Sequence, residues 1–387
     1  MSKRMRAASA ILAVALGTAL LPTAGVTAAT TAEGISVSTD QIIVKLKAGK
    51  ADRSASVAAK HGATVKKSLD SDWKVLKVPA GQAGKVLAQL KADESVEHAE
   101  LDAIMTANAV PNDPAYSSQW HLQKINAPQA WDYTLGSTSS KIAIIDTGVD
   151  LDHPDLVAKI VPGYDFVNGD SIADDDNGHG THIAGIAAAS TNNSIDGAGV
   201  DWNAKIMPVK VLNAAGSGYT SDIISGVNWA VTNGAQIISL SLGGSSASTA
   251  FQTAIDNAWS AGAFIVAAAG GSASTTKNYP AAYNHVFSVA ATDSADNKAS
   301  FTTYGTWVDI AAPGTSILST KMGGGMTTMS GASMSTPMVA GAAGLVRAAN
   351  PGISNAGIES KLCAGADPIT GTGTYWQCGR LNVRNSL

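Results

Sequence analysis

The chain has 387 residues, 45% of them hydrophobic and only 14% charged, with a formal net charge of −4. Such a composition excludes a disordered or low-complexity chain, and the length exceeds what one average domain needs. The charge is unevenly spread: residues 30–109 carry 11 Lys/Arg against 10 Asp/Glu, and residues 110–387 carry 12 against 20. The larger part is acidic, which argues against nucleic-acid binding and for cation binding or plain solubility.

Residues 1–28 read as an export signal: Lys3, Arg4 and Arg6, an apolar run over 7–21, then Val26-Thr27-Ala28 as a small-residue cleavage site. That run is short for a membrane span and no other stretch approaches it. The expected product is secreted, extracellular and free of the membrane once the signal is removed.

Next come a strand over 41–47, a helix over 51–60, strands over 64–69 and 73–78, a helix over 82–90 and a strand over 96–103. This βαββαβ order predicts a small α+β, ferredoxin-like domain. Residues 103–114 are small, polar and punctuated by proline, as a cleavable linker would be.

From residue 141 the period changes. Apolar strands over 141–145, 205–212, 236–242, 263–268 and 286–291 alternate with helices after Thr181, over 221–232, over 249–260 and after Ser333. Strands apolar throughout and separated by helices predict an α/β fold: a three-layer, doubly wound parallel sheet covered on both faces. Active groups then belong at the carboxyl ends of the strands. The two cysteines, Cys363 and Cys378, are expected to form a disulfide in an oxidising compartment, closing a loop worth about 3 kcal/mol in the chain-entropy model.

Three stretches carry chemistry. Ser333 follows Gly331-Ala332 and opens an apolar helical run, where backbone N–H groups and the helix dipole would support a nucleophile and its oxyanion; alone it reads equally as an N-cap. Asp146 ends the apolar strand Ile142-Ala143-Ile144-Ile145, where a carboxylate needs a partner or serves an Asx turn. His179 stands between Gly178 and Gly180. With His182 it has i, i+3 spacing, but no Glu between them and no third ligand motif support a metal pair. Taken together, Ser, His and Asp are the set for nucleophilic catalysis: Ser333 attacks, His179 accepts its proton, and Asp146 fixes the imidazole's tautomer.

Asp146-Thr147-Gly148, His179-Gly180-Thr181-His182 and Gly331-Ala332-Ser333-Met334-Ser335-Thr336-Pro337 resemble the three signatures of the subtilisin-like serine proteases. Asn112-Asp113-Pro114-Ala115-Tyr116, His153-Pro154-Asp155-Leu156 and Asn278-Tyr279-Pro280-Ala281 resemble the thermitase-type members. The likeness covers residues 112–387, and residues 39–109 resemble the family's inhibitory prodomain. It implies a signal over 1–28, a prodomain with its cleavable linker over 29–109 and a subtilisin-like catalytic domain over 110–387. The prodomain would act as intramolecular inhibitor and folding aid of a monomeric enzyme acting on protein or peptide substrates.

The resemblance also implies that Gly216, Ser217 and Gly218, opposite Ser241, Leu242 and Gly243, hold an extended substrate as an added strand. Ala268, Ala269 and Gly270 would line the pocket for the side chain before the scissile bond. A tight βα turn is the competing reading of each. Calcium is implied as a structural ion, with Asp113, Asp155 and Asn193 and carbonyls near Ser190, Ile195 and Gly197 as one ligand set. A second set is read from spacing: Asp165, Asn168, Asp170 and Asp174 lie within ten residues of a Gly-containing loop, which is either a cation loop or a solvated acidic one.

Two departures concern the reaction centre. The family's oxyanion asparagine is replaced by Gly271, and the usual threonine before the nucleophile by Ala332. The backbone N–H of Ser333 remains as a donor, with Ser272 within reach if its loop shifts. The sequence therefore supports a self-processing endopeptidase with a weakened oxyanion hole. The alternative is a pseudoprotease that binds peptides or acts as a scaffold on the same fold.

Overall fold

The computed structural model describes residues 28–30, 36–49, 53–104 and 110–387. The body of the expected export signal, the first residues of the expected 51–60 helix and the middle of the expected linker, 105–109, lie outside the described residues. The chain forms two compact units, Met1–Ala107 and Asn108–Leu387.

The first unit runs β1 (Ala28–Thr30), β2 (Ser36–Leu46), α1 (Ser54–Lys60), β3 (Thr64–Ser68), β4 (Trp73–Lys77), α2 (Ala83–Lys91) and β5 (Val96–Ala103). The antiparallel sheet places β2 between β4 and β5, with β3 beyond β4 and β1 against the start of β2. This is the ferredoxin-like arrangement with one added short strand. Alternation in β2 buries Ile42, Val44 and Leu46 against Val57 and Ala58 of α1 and Val86 and Leu90 of α2. Edge strand β3 stays largely exposed and carries Lys66 and Lys67, which discourage pairing with other chains.

The second unit opens with α3 (Trp120–Lys124) and α4 (Ala127–Trp131), then alternates β6 (Lys141–Asp146), β7 (Tyr164–Asp165), α5 (His179–Ala188), β8 (Lys205–Lys210), α6 (Thr220–Thr232), β9 (Ile237–Leu240), α7 (Thr249–Ser260) and β10 (Phe264–Ala268). There follow β11 (Phe287–Thr292), β12 (Ile310–Pro313), the hairpin β13 (Ile317–Thr320) and β14 (Met326–Met329), α8 (Ala332–Ala349), α9 (Asn355–Gly365) and α10 (Val383–Ser386). Seven parallel strands lie in the order β12-β11-β10-β9-β6-β8-β7.

Each strand feeds both faces. In β6, Ile142 and Ile144 join a core with α5, α8 and α9, while Ala143 and Ile145 join one with α6 and α7. Helix α8 is buried on all sides from Met334 to Val346 and runs through the first core. A Cβ on Gly341 would crowd the carbonyl of Ala187 in α5, so glycine permits this close approach of the two helices. Strand order reverses around β6, and its carboxyl end, with that of neighbouring β9, marks where a doubly wound sheet places its site.

Candidate active site

Asp146 is the last residue of β6 and wholly buried. Its Oδ1 accepts from the Thr147 amide at 2.8 Å and pairs with His179 Nδ1 at 2.7 Å. The amides of Val211 and Leu212, just past β8, both donate to the Asp146 carbonyl, which is why β8 stops at Lys210 rather than continuing to 212. His179 opens α5, three residues before the expected start, because Gly178 at φ 99° supplies the turn. Burial alone would lower the His179 pKa. The charge and hydrogen bond of Asp146, aided by the charge of Asp175, outweigh it and hold the imidazole above its ordinary value.

Ser333 is the second residue of α8, one position inside the helix. The Ser335 hydroxyl donates to the carbonyls of Ala312 and Pro313, and the Gly331 amide to Gly314, pinning this turn to the end of β12. The Ser333 hydroxyl donates to the Ser241 carbonyl at 3.1 Å, and the Ser241 hydroxyl returns a bond to the Ser333 carbonyl at 2.9 Å. The serine proton thus rests on a backbone carbonyl rather than on His179, a contact that tightens in many hydrolases only when substrate is bound.

A cleft of about 630 Å³ runs past His179 and Thr147. Gly216, Ser217 and Gly218 line one part of it and Ser241, Leu242 and Gly243 another, with Ile223, Phe251 and Tyr279 adding apolar surface. Ala268 and Ala269 do not present side chains there. Ala268 packs with Ala291, Ala299 and Ala332, and Ala269 with Val308, Ala311 and Trp376, leaving only their backbone to a substrate. Gly270 has φ 113°, and the Asn278 carboxamide lies against both Gly270 and Gly243. At Gly271 a Cβ would meet nothing within 4 Å, so space for the missing asparagine side chain exists. The Ser272 hydroxyl does not fill it, being tied to Ser274 and Thr303 at 2.9 Å each.

The model of the subtilase family matches residues 137–378, and that of the fervidolysin N-terminal prodomain residues 23–102. The chain belongs to the subtilase family. Thermitase of Thermoactinomyces vulgaris is 51% identical over 72% of this chain and 99% of that protein. A thermophilic serine proteinase of Bacillus sp. (strain AK1) is 42% identical over 90% and 87%, and subtilisin Savinase of Lederbergia lenta 43% over 67% and 96%. A solved protease structure from Pseudoalteromonas arctica PAMC 21717 aligns at TM-score 0.66 with 34% identity, covering 72% of this chain and 98% of that one. This subtilase is therefore a serine peptidase of thermitase type with an N-terminal prodomain, built on the subtilisin-like fold. Cys363 and Cys378 form its disulfide, and no helix among the described residues is long and apolar enough to cross a membrane.

The acidic residues behave differently from the spacing-based expectation. Asp165 accepts from the amides of Val167 and Asn168 and from the Asn168 side chain, Asp170 from the Ile172 amide, and Asp174 from the Leu151 amide. These oxygens brace their own loop and its neighbour, so Asp165, Asn168, Asp170 and Asp174 serve as turn residues in this structure. Among the described residues no group of three or more His, Cys, Asp or Glu is gathered to hold a metal.

The Asp113, Asp155 and Asn193 set fits better. Asp155 is wholly buried and its carboxyl is pushed up to about 7 by burial, despite donors from Asn193 and Gly197, with Asp196 and Asp113 adding to the rise. Ser190 close by has a buried hydroxyl without a partner. A hard cation with oxygen ligands would relieve this carboxyl, with Asn193 and carbonyls near Ile195 and Gly197 completing the set.

Two residues received no role at the reaction centre from the sequence. Asp175 accepts from five donors around the start of α5, and Lys210, 1% exposed, donates to the carbonyls of Thr147 and Leu212 and to Asp176. The signal for Lys210 was a lone lysine ending the apolar strand 205–210. Asp175 lies in the run Asp174-Asp175-Asp176, at the end of the acidic loop that reads as either a cation loop or a solvated one.

Proposed function

We propose that this subtilase is a secreted endopeptidase in which Ser333 is the nucleophile, His179 the general base and Asp146 the residue that orients it. The pairing of His179 Nδ1 with Asp146 at 2.7 Å carries this reading, since it leaves Nε2 free to take a proton. Substrate lies as an added strand between residues 216–218 and 241–243. Ser333 Oγ bonds to the scissile carbonyl carbon as His179 takes its proton. The oxyanion meets the Ser333 amide beside Gly271. His179 then protonates the leaving amine, and water repeats the sequence on the acyl-enzyme. Residues 29–109 act as inhibitor and folding aid until cleavage in the linker frees residues 110–387 as a monomer. Calcium, held by Asp113, Asp155 and Asn193, contributes by tying two segments together and takes no part in the chemistry.

Gly271 makes the oxyanion hole one donor short. Loss of the equivalent asparagine in subtilisin costs about 10²–10³ in turnover. Gly271→Asn, for which the structure has room, is expected to raise kcat on a chromogenic peptide by roughly 10²-fold. Ser333→Ala serves as the inactive control. An unchanged kcat in Gly271→Asn contradicts the weakened hole.

A further inference from the structure

The helix that carries the base has no N-cap side chain of its own, because its N-cap is Gly178. The orphan amides of such a helix start must still find acceptors. The His179 amide donates to Asn177 Oδ1 at 3.2 Å, Gly180 to Thr147 Oγ1 at 2.9 Å, and Thr181 to Asp175 Oδ2 at 2.9 Å. Asp175, 7% exposed, also accepts from the Gly178 and Asn177 amides, from the Thr181 hydroxyl and from the Thr147 hydroxyl at 2.8 Å. Thr147 directly follows Asp146, and its carbonyl is held by buried Lys210 at 2.7 Å.

One carboxylate therefore ties the strand end that carries Asp146 to the helix start that carries His179. We propose that Asp175 is a positioning residue for catalysis. Through Thr147 it fixes the distance between Asp146 and His179, and its charge helps keep the imidazole basic. This rests on the reading of His179 as the general base.

The charged groups around the imidazole come from few places. Asp146 is on β6, Asp174 to Asp176 are in the turn before α5, and Asp150 follows β6. His182 is one turn further along α5, and Lys210 on β8 is paired with Asp176 at 2.6 Å. Of the other elements packed on α5, β13 carries no charge and α8 only Arg347, in its last turn. Removing the Asp175 charge thus leaves Asp146 as the main support of imidazolium, and the His179 pKa must fall.

The test compares full-length chains carrying Asp175→Asn, Thr147→Val, Thr147→Ser and the Asp175→Asn/Thr147→Val double substitution, with His179→Ala and Ser333→Ala as controls. Asp175→Asn is expected to lower kcat about tenfold or more with KM within about twofold, because displacement of a catalytic group acts on turnover. The acid limb of kcat/KM should move to lower pH. Thr147→Val should match the kcat loss, Thr147→Ser should recover activity, and the double variant should have a kcat no lower than the lower single one, since both break one linkage.

Wild-type kcat and acid limb in Asp175→Asn, or multiplicative losses in the double variant, would overturn the proposal. If Asp175→Asn fails to fold, Thr147→Val against Thr147→Ser decides alone: equal kcat in the two rejects it. Retained activity in His179→Ala would instead sink the base assignment beneath it.

Discussion

His121 and His182 sit inside the second unit, both fully buried. Neither ring nitrogen of His121 has a partner, and burial, with His182 nearby, pushes its pKa down to about 3. His182 falls to about 4, also through burial, although the carbonyls of Thr327 and Ile317 oppose the fall. Unfolded, both titrate near the ordinary 6.5, so below that pH the unfolded chain binds more protons. The proton-linked cost of burying them is absent above about pH 6.5, and stability is lost as pH falls toward 3–4. His121→Leu removes an unpaired polar ring worth about 1–3 kcal/mol. It is expected to raise the melting midpoint at neutral pH and to flatten its decline between pH 6.5 and 4. A decline as steep as wild type would show that His121 does not drive acid unfolding.

At the scale of elements, the C-terminal segment depends on a cross-link. Cys363 lies on α9 and Cys378 in the loop before α10, a separation of 15 residues. Cys363→Ala/Cys378→Ala is expected to destabilise by about 3 kcal/mol in denaturant titration, from freedom regained by the unfolded chain. A midpoint unchanged from wild type would contradict this.

The central strands were legible in sequence because burial on both faces makes β6, β8, β9, β10 and β11 continuous apolar runs, whereas the eleven-residue α9 was not read from it. Helix α7 was bounded to the residue, since Ser248 caps it. Pieces of two to five residues, such as β7, β12, β13, β14, α3, α4 and α10, are too short to show a period and form through tertiary contacts. The start of α5 was misplaced because its cap comes from Asp175 and Thr147, distant from the local pattern. Site types were legible as Asp, His and Ser at element ends. The inward turn of Ala268 and Ala269, and the closing of the Asp165 loop on itself, depend on three-dimensional packing that no spacing reveals.

Across the whole molecule, the acidic balance of residues 110–387 and the buried Asp155, whose carboxyl is pushed up to about 7 by burial, point the same way. A cation bound only by the folded state raises the melting midpoint. At pH 8 the mature enzyme is expected to melt several degrees higher in millimolar calcium than in EDTA, by about 2.7 kcal/mol of linkage at a hundredfold excess over Kd. Equal midpoints would remove calcium from the account. The proposed self-processing would join both units in one event, because it requires the nucleophile, the prodomain and a cleavable connection between them. The most direct measurement is the intact mass and N-terminal sequence of the purified wild-type chain beside Ser333→Ala. Wild type should begin near Val110 while Ser333→Ala retains its prodomain; maturation of Ser333→Ala to the same N-terminus would contradict catalysis by Ser333.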